Sequence, residues 1–217
     1  MIDSPETSSA WQTKPTDRFI LKWIKCHLSA RITPHLVHLS WLQPWMITVC
    51  AAILGTLGGV IFALGWAWLA GLLAAASQIL DGVDGQFARL TDRQSSAGAY
   101  LDSVLDRYAE GSMIIGLTIY LVRLPLEWPL WLLLILGALA VIGSNLGSYA
   151  AARAESLDLD LGRHSLASKG TRSMVMILCA WGTLLWPPLP LVALIYLAVH
   201  PNAVEIAQML RVYRKYS

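Results

Sequence analysis

Apolar residues dominate six stretches of the chain, near 44–64, 67–90, 97–123, 128–152, 170–187 and 189–210. Each approaches the roughly 20 residues that a helix needs to cross a bilayer. Gly65, the Leu124-Pro125-Leu126-Glu127-Trp128 stretch and Pro187-Pro188 mark tight turns on one side. Residues 91–96 and 153–169 form polar connections on the other. The pattern predicts an all-α integral membrane protein with six transmembrane helices. Ahead of the first span, Phe19, Trp23 and Ile24 recur near helical spacing, with Arg18, Lys22 and Lys25 between them. That alternation predicts an N-terminal amphipathic helix lying in the membrane interface. Two regions result: a cytoplasmic N-terminal segment over 1–40 with its juxtamembrane helix, and a six-helix membrane domain over 41–217.

Composition supports one membrane domain. Of 217 residues, 56% are hydrophobic and 14% charged, against about 25% charged in soluble domains. Residues 1–18 are polar, and no short apolar core with a small-residue cleavage site follows them, so no cleaved signal is expected. Cys26, Cys50 and Cys179 fit neither a disulfide framework nor zinc spacing and read as buried, unreactive thiols.

Charge placement orients the bundle. Lys14, Arg18, Lys22, Lys25 and Arg31 precede the first span. Arg89, Arg93, Arg153, Arg163, Lys169, Arg172, Arg211, Arg214 and Lys215 lie near the polar connections or the tail, with Arg123 the exception on the opposite side. By the positive-inside rule both termini are cytoplasmic, with six crossings rather than five.

The chemistry concentrates at one junction. The second span ends in Asp81-Gly82-Val83-Asp84-Gly85-Gln86-Phe87-Ala88-Arg89, and the third begins with Gly98-Ala99-Tyr100-Leu101-Asp102-Ser103-Val104-Leu105-Asp106. Asp81, Asp84, Gly85 and Ala88 share one helical face, and Gly98, Asp102 and Asp106 share another. Antiparallel packing of the two spans brings the acidic faces together. Four bare carboxylates at membrane depth cost on the order of 10 kcal/mol on the insertion scale, so bound cations are expected. Carboxylate oxygens without His or Cys suit Mg²⁺, Mn²⁺ or Ca²⁺. Four of them suffice for a two-metal site. Arg89, one turn from the acids, offers a fork for a phosphate. Asp92, Arg93 and Arg107 read as solvated or headgroup-level charges.

The pattern Asp-x2-Asp-Gly-x2-Ala-Arg-x8-Gly-x3-Asp-x3-Asp is met without a gap by Asp81, Asp84, Gly85, Ala88, Arg89, Gly98, Asp102 and Asp106. It resembles the signature of the CDP-alcohol phosphotransferases. The resemblance implies metal-dependent transfer of a substituted phosphate from a CDP-alcohol to an acceptor hydroxyl, with release of CMP. It implies two Mg²⁺ or Mn²⁺ ions bridging the donor pyrophosphate on Asp81, Asp84 and Asp102. Asp106 would contact the second ion and act as general base. Gly85 and Ala88 would let the cytidine lie against the helix, Asp81 and Arg89 would meet the donor phosphates, and Gly98 would permit close helix packing. A homodimer in the cell or inner membrane, with its site open to the cytoplasm, is also implied, and no nucleic-acid partner. Many relatives carry Thr-Pro-Asn where this chain has Gln43-Pro44-Trp45, so the nucleotide contact of that Asn does not carry over.

The substrates stay open at this level. Lys169 and Arg172 lie one turn apart at the start of the fifth span, suited to a phosphate on the acceptor, with Arg153 in the same basic stretch. His164 reads as a loop histidine. Lys14-Pro15-Thr16-Asp17, Ile79-Leu80-Asp81-Gly82-Val83-Asp84-Gly85 and Leu101-Asp102-Ser103-Val104-Leu105-Asp106-Arg107-Tyr108 resemble the branch that makes di-myo-inositol-phosphate-phosphate. In that branch the donor is CDP-inositol and the acceptor inositol phosphate. No cytidylyltransferase domain accompanies the motif in this chain. The alternatives are phosphatidyl transfer from CDP-diacylglycerol to inositol phosphate or glycerol phosphate, and choline- or ethanolamine-type transfer to a lipid. A cation-coupled transporter is the reading from another class. It predicts acids spread along a path, whereas these cluster at one depth.

Overall fold

The structure is a computed structural model that describes residues 25–159 and 168–216. A single π-helical turn, Lys25–Ser29, leads into α1 (Ala30–Val37). Then come α2 (Pro44–Ala63), α3 (Ala67–Leu90), α4 (Ser96–Arg123), α5 (Leu130–Ser156), α6 (Lys169–Gly182) and α7 (Pro190–Tyr216). The described residues contain helices and no strands. The helix boundaries α2 to α7 fall within a few residues of those the apolar stretches predict, α6 being the shortened one. The expected interfacial helix lies mostly outside the described residues, as do Lys14, Arg163 and His164.

Local signals start and stop these helices. Pro44 opens α2 at its first turn, where its missing N–H costs nothing. Gly65 reverses the chain between α2 and α3 at φ +102°, a backbone that side chains with a Cβ rarely adopt. Ser95 caps α4 by accepting from the Gly98 N–H at 3.0 Å. Arg123, the charge that broke the positive-inside pattern, donates to the Ala63 carbonyl at 2.6 Å, covering an open end of α2.

Packing departs from expectation in one respect. The acidic helices α3 and α4 hardly touch each other directly; α2 packs extensively against both and wedges between them. Small residues make that wedge possible. A Cβ on Gly59 would fall inside the Ser112 backbone, and one on Gly116 would strike the Gly59 carbonyl. Such backbone contact is how helices associate where apolar burial gives no driving force. Elsewhere α5 packs on α7, α3 on α6, and α1 leans on α3. Ser29 donates to the Ile79 carbonyl at 2.9 Å, and Thr33 to Gln86 at 2.9 Å. The main core, around Phe62, Ile114, Leu117, Leu121, Leu194 and Leu197, fills the end away from the acids.

Three helices, α2, α5 and α7, are long and apolar enough to cross a membrane. Large apolar side chains stand outward along the bundle, among them Ile53, Leu72, Leu134, Ile142 and Val199. Helix α6, with 14 residues, rises only about 21 Å, short of the roughly 30 Å hydrocarbon layer. Cys179 is buried as expected, but Cys50 is exposed on α2. Its face of the helix looks away from α3 and α4.

Replacing Gly59 with leucine should separate α2 from α4. Overpacking of this kind costs about 1–3 kcal/mol or more. A clearly lowered unfolding midpoint in detergent is expected, and a wild-type midpoint would contradict the wedge.

Candidate active site and metal centre

Alternation of helix direction brings the starts of α2, α4 and α6 and the ends of α3, α5 and α7 to one end of the bundle. The acids sit there. Single carboxylate oxygens of Asp81, Asp102 and Asp106 all lie within 4.8 Å of one another. Oxygens on one Mg²⁺ stand about 2.0–2.1 Å from it, hence up to about 4 Å apart. Small side-chain adjustments therefore let this donor set close on a hard divalent cation, and its all-oxygen chemistry fits one.

Asp84 occupies a different place. It is buried at 8% exposure, and Thr48 of α2 donates to its Oδ2 at 2.7 Å. It lines two cavities at once. One is a small acid-walled space of about 30 Å³, bounded also by Asp81, Asp102, Asp106, Glu110 and Lys169. The other is a cleft of about 890 Å³, within the size range of small-ligand sites. Gly85, Ala88, Arg89, Gly98 and Trp45 line this cleft. Of the residues expected at the donor, Gly85, Ala88 and Arg89 line this cleft, whereas Asp81 lines the small acid-walled space. The unusual Trp45 joins them.

Lys169 of α6 reaches the cluster. Its ammonium lies 2.9 Å from Asp81 Oδ1 and 2.6 Å from Asp106 Oδ1. Arg172 does not accompany it. It is only 4% exposed, and its guanidinium is committed to Glu110 through Nε at 2.6 Å and Nη2 at 3.0 Å. Arg153 is exposed near the end of α5, 3.4 Å from Ser156 Oγ, and lines neither cavity. The shared one-turn spacing of Lys169 and Arg172 was read as a phosphate-binding pair; burial of Glu110 draws the second member inward instead.

Two further readings need correction. Gly98 makes no tight helix contact, since a Cβ there would meet only Ser95 Oγ at 3.1 Å. Its smallness keeps the cleft open. Arg107 is no solvated charge: it stands 3.3 Å from Glu110, 3.8 Å from Asp106, and donates to Ser148 of α5. Arg93 is exposed as expected, and it donates to the Leu42 carbonyl at 2.9 Å, tying the α3–α4 connection to the start of α2.

Thr48 and Glu110 were missed from sequence. Glu110 was open to detection, because Gly98, Asp102, Asp106 and Glu110 run at four-residue steps down one face. Thr48 gave no comparable signal; only the packing of α2 on α3 brings it to Asp84.

A helical bundle whose all-carboxylate cluster suits a hard divalent cation, beside a cleft of nucleotide size, points to a class: enzymes that handle phosphorylated ligands with metal ions. The chain belongs to the CDP-alcohol phosphatidyltransferase family, whose family model matches residues 41–209. This is a membrane-bound family that uses divalent metals, and the chain is an integral membrane protein. It is 34% identical over 137 residues to the bifunctional IPC transferase and DIPP synthase of Thermococcus kodakarensis. That match covers 63% of this chain and 30% of the relative, so the chain spans under a third of that longer protein. It is 32% identical over 155 residues to the phosphatidylinositol phosphate synthase of Cutibacterium acnes, covering 69% of this chain and 66% of that one. Its fold matches the Mycobacterium tuberculosis phosphatidylinositol phosphate synthase crystallised with CDP-DAG bound, at TM-score 0.75 and 22% identity. The match covers 86% of this chain and 94% of the other. The same mycobacterial enzyme in complex with manganese and citrate also matches at 0.75.

Thr48→Val removes the hydroxyl that orients Asp84 while keeping the shape. Outer-shell partners of metal ligands typically contribute 10- to 100-fold in metal affinity or activity. Mn²⁺ binding followed by electron paramagnetic resonance should weaken by about that factor. Wild-type affinity would show that Asp84 needs no such support.

Proposed function

We propose that this chain transfers a substituted phosphate group from a CDP-alcohol to an acceptor hydroxyl and releases CMP. One observation carries the reading: Asp81, Asp102 and Asp106 converge within 4.8 Å, next to a cleft walled by Gly85, Ala88 and Arg89. Asp81, Asp84 and Asp102, with Asp106 toward a second position, would hold two Mg²⁺ or Mn²⁺ ions. When bound, these neutralise the donor pyrophosphate and make CMP a better leaving group.

The chain's own groups do the rest. Gly85 and Ala88 leave the wall of the cleft flat enough for the cytidine, and Arg89 offers its fork to a donor phosphate. Thr48 keeps Asp84 turned toward both cavities. Asp106 takes the proton of the acceptor hydroxyl. The freed oxygen bonds to the phosphorus bearing the alcohol, and the bond from that phosphorus to the CMP oxygen breaks. Lys169 lies beside Asp106 and suits a phosphate on the acceptor. Arg172 reaches that phosphate only if it leaves Glu110, and Arg153 only if α5 turns it inward; Lys169 is therefore the acceptor residue the geometry favours. Positioning and electrostatics supply most of the acceleration in such a transfer.

The acceptor we propose is an inositol phosphate. For the donor, CDP-inositol is supported by the local likeness to the DIPP-forming branch. CDP-diacylglycerol is supported by the solved fold neighbour with CDP-DAG bound and by a relative of comparable length, the phosphatidylinositol phosphate synthase. Six crossings, both termini and the site cytoplasmic, fit the basic residues gathered at the acid-bearing end. A homodimer rests on the family resemblance.

The test is CMP release from purified protein with Mg²⁺ or Mn²⁺, offering CDP-inositol, CDP-diacylglycerol and CDP-ethanolamine separately with inositol phosphate. Release from one donor, lost in Asp106→Asn and in Asp102→Asn, supports the reading and names the branch. Wild-type turnover in Asp102→Asn at saturating Mg²⁺ would overturn the metal assignment. In the active pairing, Lys169→Ala should raise the acceptor KM on the order of tenfold, about 1.4 kcal/mol, and leave the donor KM near wild type. An unchanged acceptor KM would point to a neutral alcohol.

A further inference from the structure

Glu110 lies one turn beyond Asp106 on α4 and is 5% exposed. No step of the proposed transfer uses it. Its two oxygens accept from Arg172 Nε at 2.6 Å and Nη2 at 3.0 Å, a two-pronged bridge from α4 to α6. Arg107, 3.3 Å from the same carboxylate, also donates to Ser148 of α5. One buried carboxylate thus links three helices, and it forms part of the wall of the acid cavity.

Backbone packing does not account for this arrangement. Helix α6 packs on α3 and α7, and its backbone makes little contact with α4. Two side chains one turn apart span that gap: Lys169 to Asp106, and Arg172 to Glu110. A buried ion pair is commonly no more stabilising than apolar residues of the same shape, because desolvating both charges offsets their attraction. Such a pair does offer a defined orientation, since a planar guanidinium meets a carboxylate in a fork that tolerates few alternatives.

We infer that Glu110 is a positioning residue for the acceptor half of the site. By locking Arg172 it sets the height of the first turn of α6, and so the point at which Lys169 presents its ammonium to Asp81 and Asp106. It also engages Arg107, which otherwise has Asp106 as its nearest carboxylate partner at 3.8 Å. The inference rests on the transfer reading above and on Lys169 meeting the acceptor.

Three variants test it: Glu110→Gln, Arg172→Lys, and the double replacement Glu110→Leu with Arg172→Leu. Steady-state kinetics are measured with inositol phosphate and the donor that supports CMP release in the wild type, beside thermal unfolding in detergent and Mn²⁺ affinity. In each folded variant the acceptor KM should rise 10- to 100-fold, the range that a displacement near 1 Å produces. Donor KM and Mn²⁺ affinity should stay within about twofold, well under the 1.4 kcal/mol that a tenfold change represents. The apolar double variant separates geometry from stability. It should recover the unfolding midpoint that Glu110→Gln loses, yet keep the raised acceptor KM. A folded double variant with wild-type acceptor KM would overturn the inference and make the pair a structural bridge only. Equal loss in both KM values would overturn it too. Arg172→Lys keeps the charge but not the fork, so it carries the test if Glu110→Gln does not fold. A wild type that releases no CMP would instead overturn the transfer reading itself, which these comparisons leave distinct.

Discussion

Five carboxylates face one another inside an apolar bundle, and every neighbouring feature answers that concentration of negative charge. An acid at membrane depth costs roughly 2.5–3.5 kcal/mol if nothing offsets it. Asp81 and Asp106 share the ammonium of Lys169, Glu110 holds Arg172 and Arg107, and Asp84 accepts from Thr48. These partners arrive from α2, α4 and α6, so the same contacts that make the acids tolerable also tie the helices together. Lys169 is shared between Asp81 and Asp106, and Arg107 also stands 3.8 Å from Asp106. Under the proposed transfer, divalent cations would offset the carboxylates and the pyrophosphate of the donor together.

The wedge of α2 between α3 and α4 is the structural counterpart of that concentration of charge. Were the two acidic helices in direct contact, Asp81 and Asp102 would meet across a closed seam with no room for a ligand. Close backbone approach at Gly59 and Gly116 draws α2 tightly to α4, while Ser77 donates to the Ala51 carbonyl at 2.8 Å and holds α3 to its other side. The acidic faces are thereby kept near but apart. The gap becomes two spaces that share Thr48, Asp84 and Asp102: a small acid-walled one and a broad cleft.

Much of this was legible in the chain. Long apolar stretches broken by Gly65, Leu124-Pro125 and Pro187-Pro188 gave α2, α3 and α4 to within a residue and α5, α6 and α7 to within six, because spanning length and turn chemistry are local properties. The aspartate ladder gave the acid cluster, because helical periodicity alone puts Asp81 with Asp84 and Asp102 with Asp106. The failures were of another kind. Arg172, Arg107 and Gly98 each depend on what a different helix presents: Glu110 for the arginines, an open cleft for the glycine. Periodicity places a side chain on a face but does not say what that face meets. Thr48 illustrates the limit most clearly, since nothing in its own segment marks it as a partner of Asp84.

Division of the site into two spaces also orders the chemistry. The broad cleft holds Arg89, Gly85 and Ala88, all from the last turns of α3, so under the proposed transfer one element would address the donor. Lys169 reaches in from α6, whose link to α4 runs through side chains rather than backbone. Under the proposed transfer, donor recognition would rest on the closely packed α2–α3–α4 core, and acceptor recognition on Lys169 of α6, a helix that packs on α3 and α7. A family that keeps one leaving group while varying the attacking alcohol needs that asymmetry. The nucleotide wall can stay fixed while changes in α6 and its anchoring arginine retune the other half. Trp45, where many relatives carry an asparagine, lines the same cleft and places a large ring on the proposed donor side.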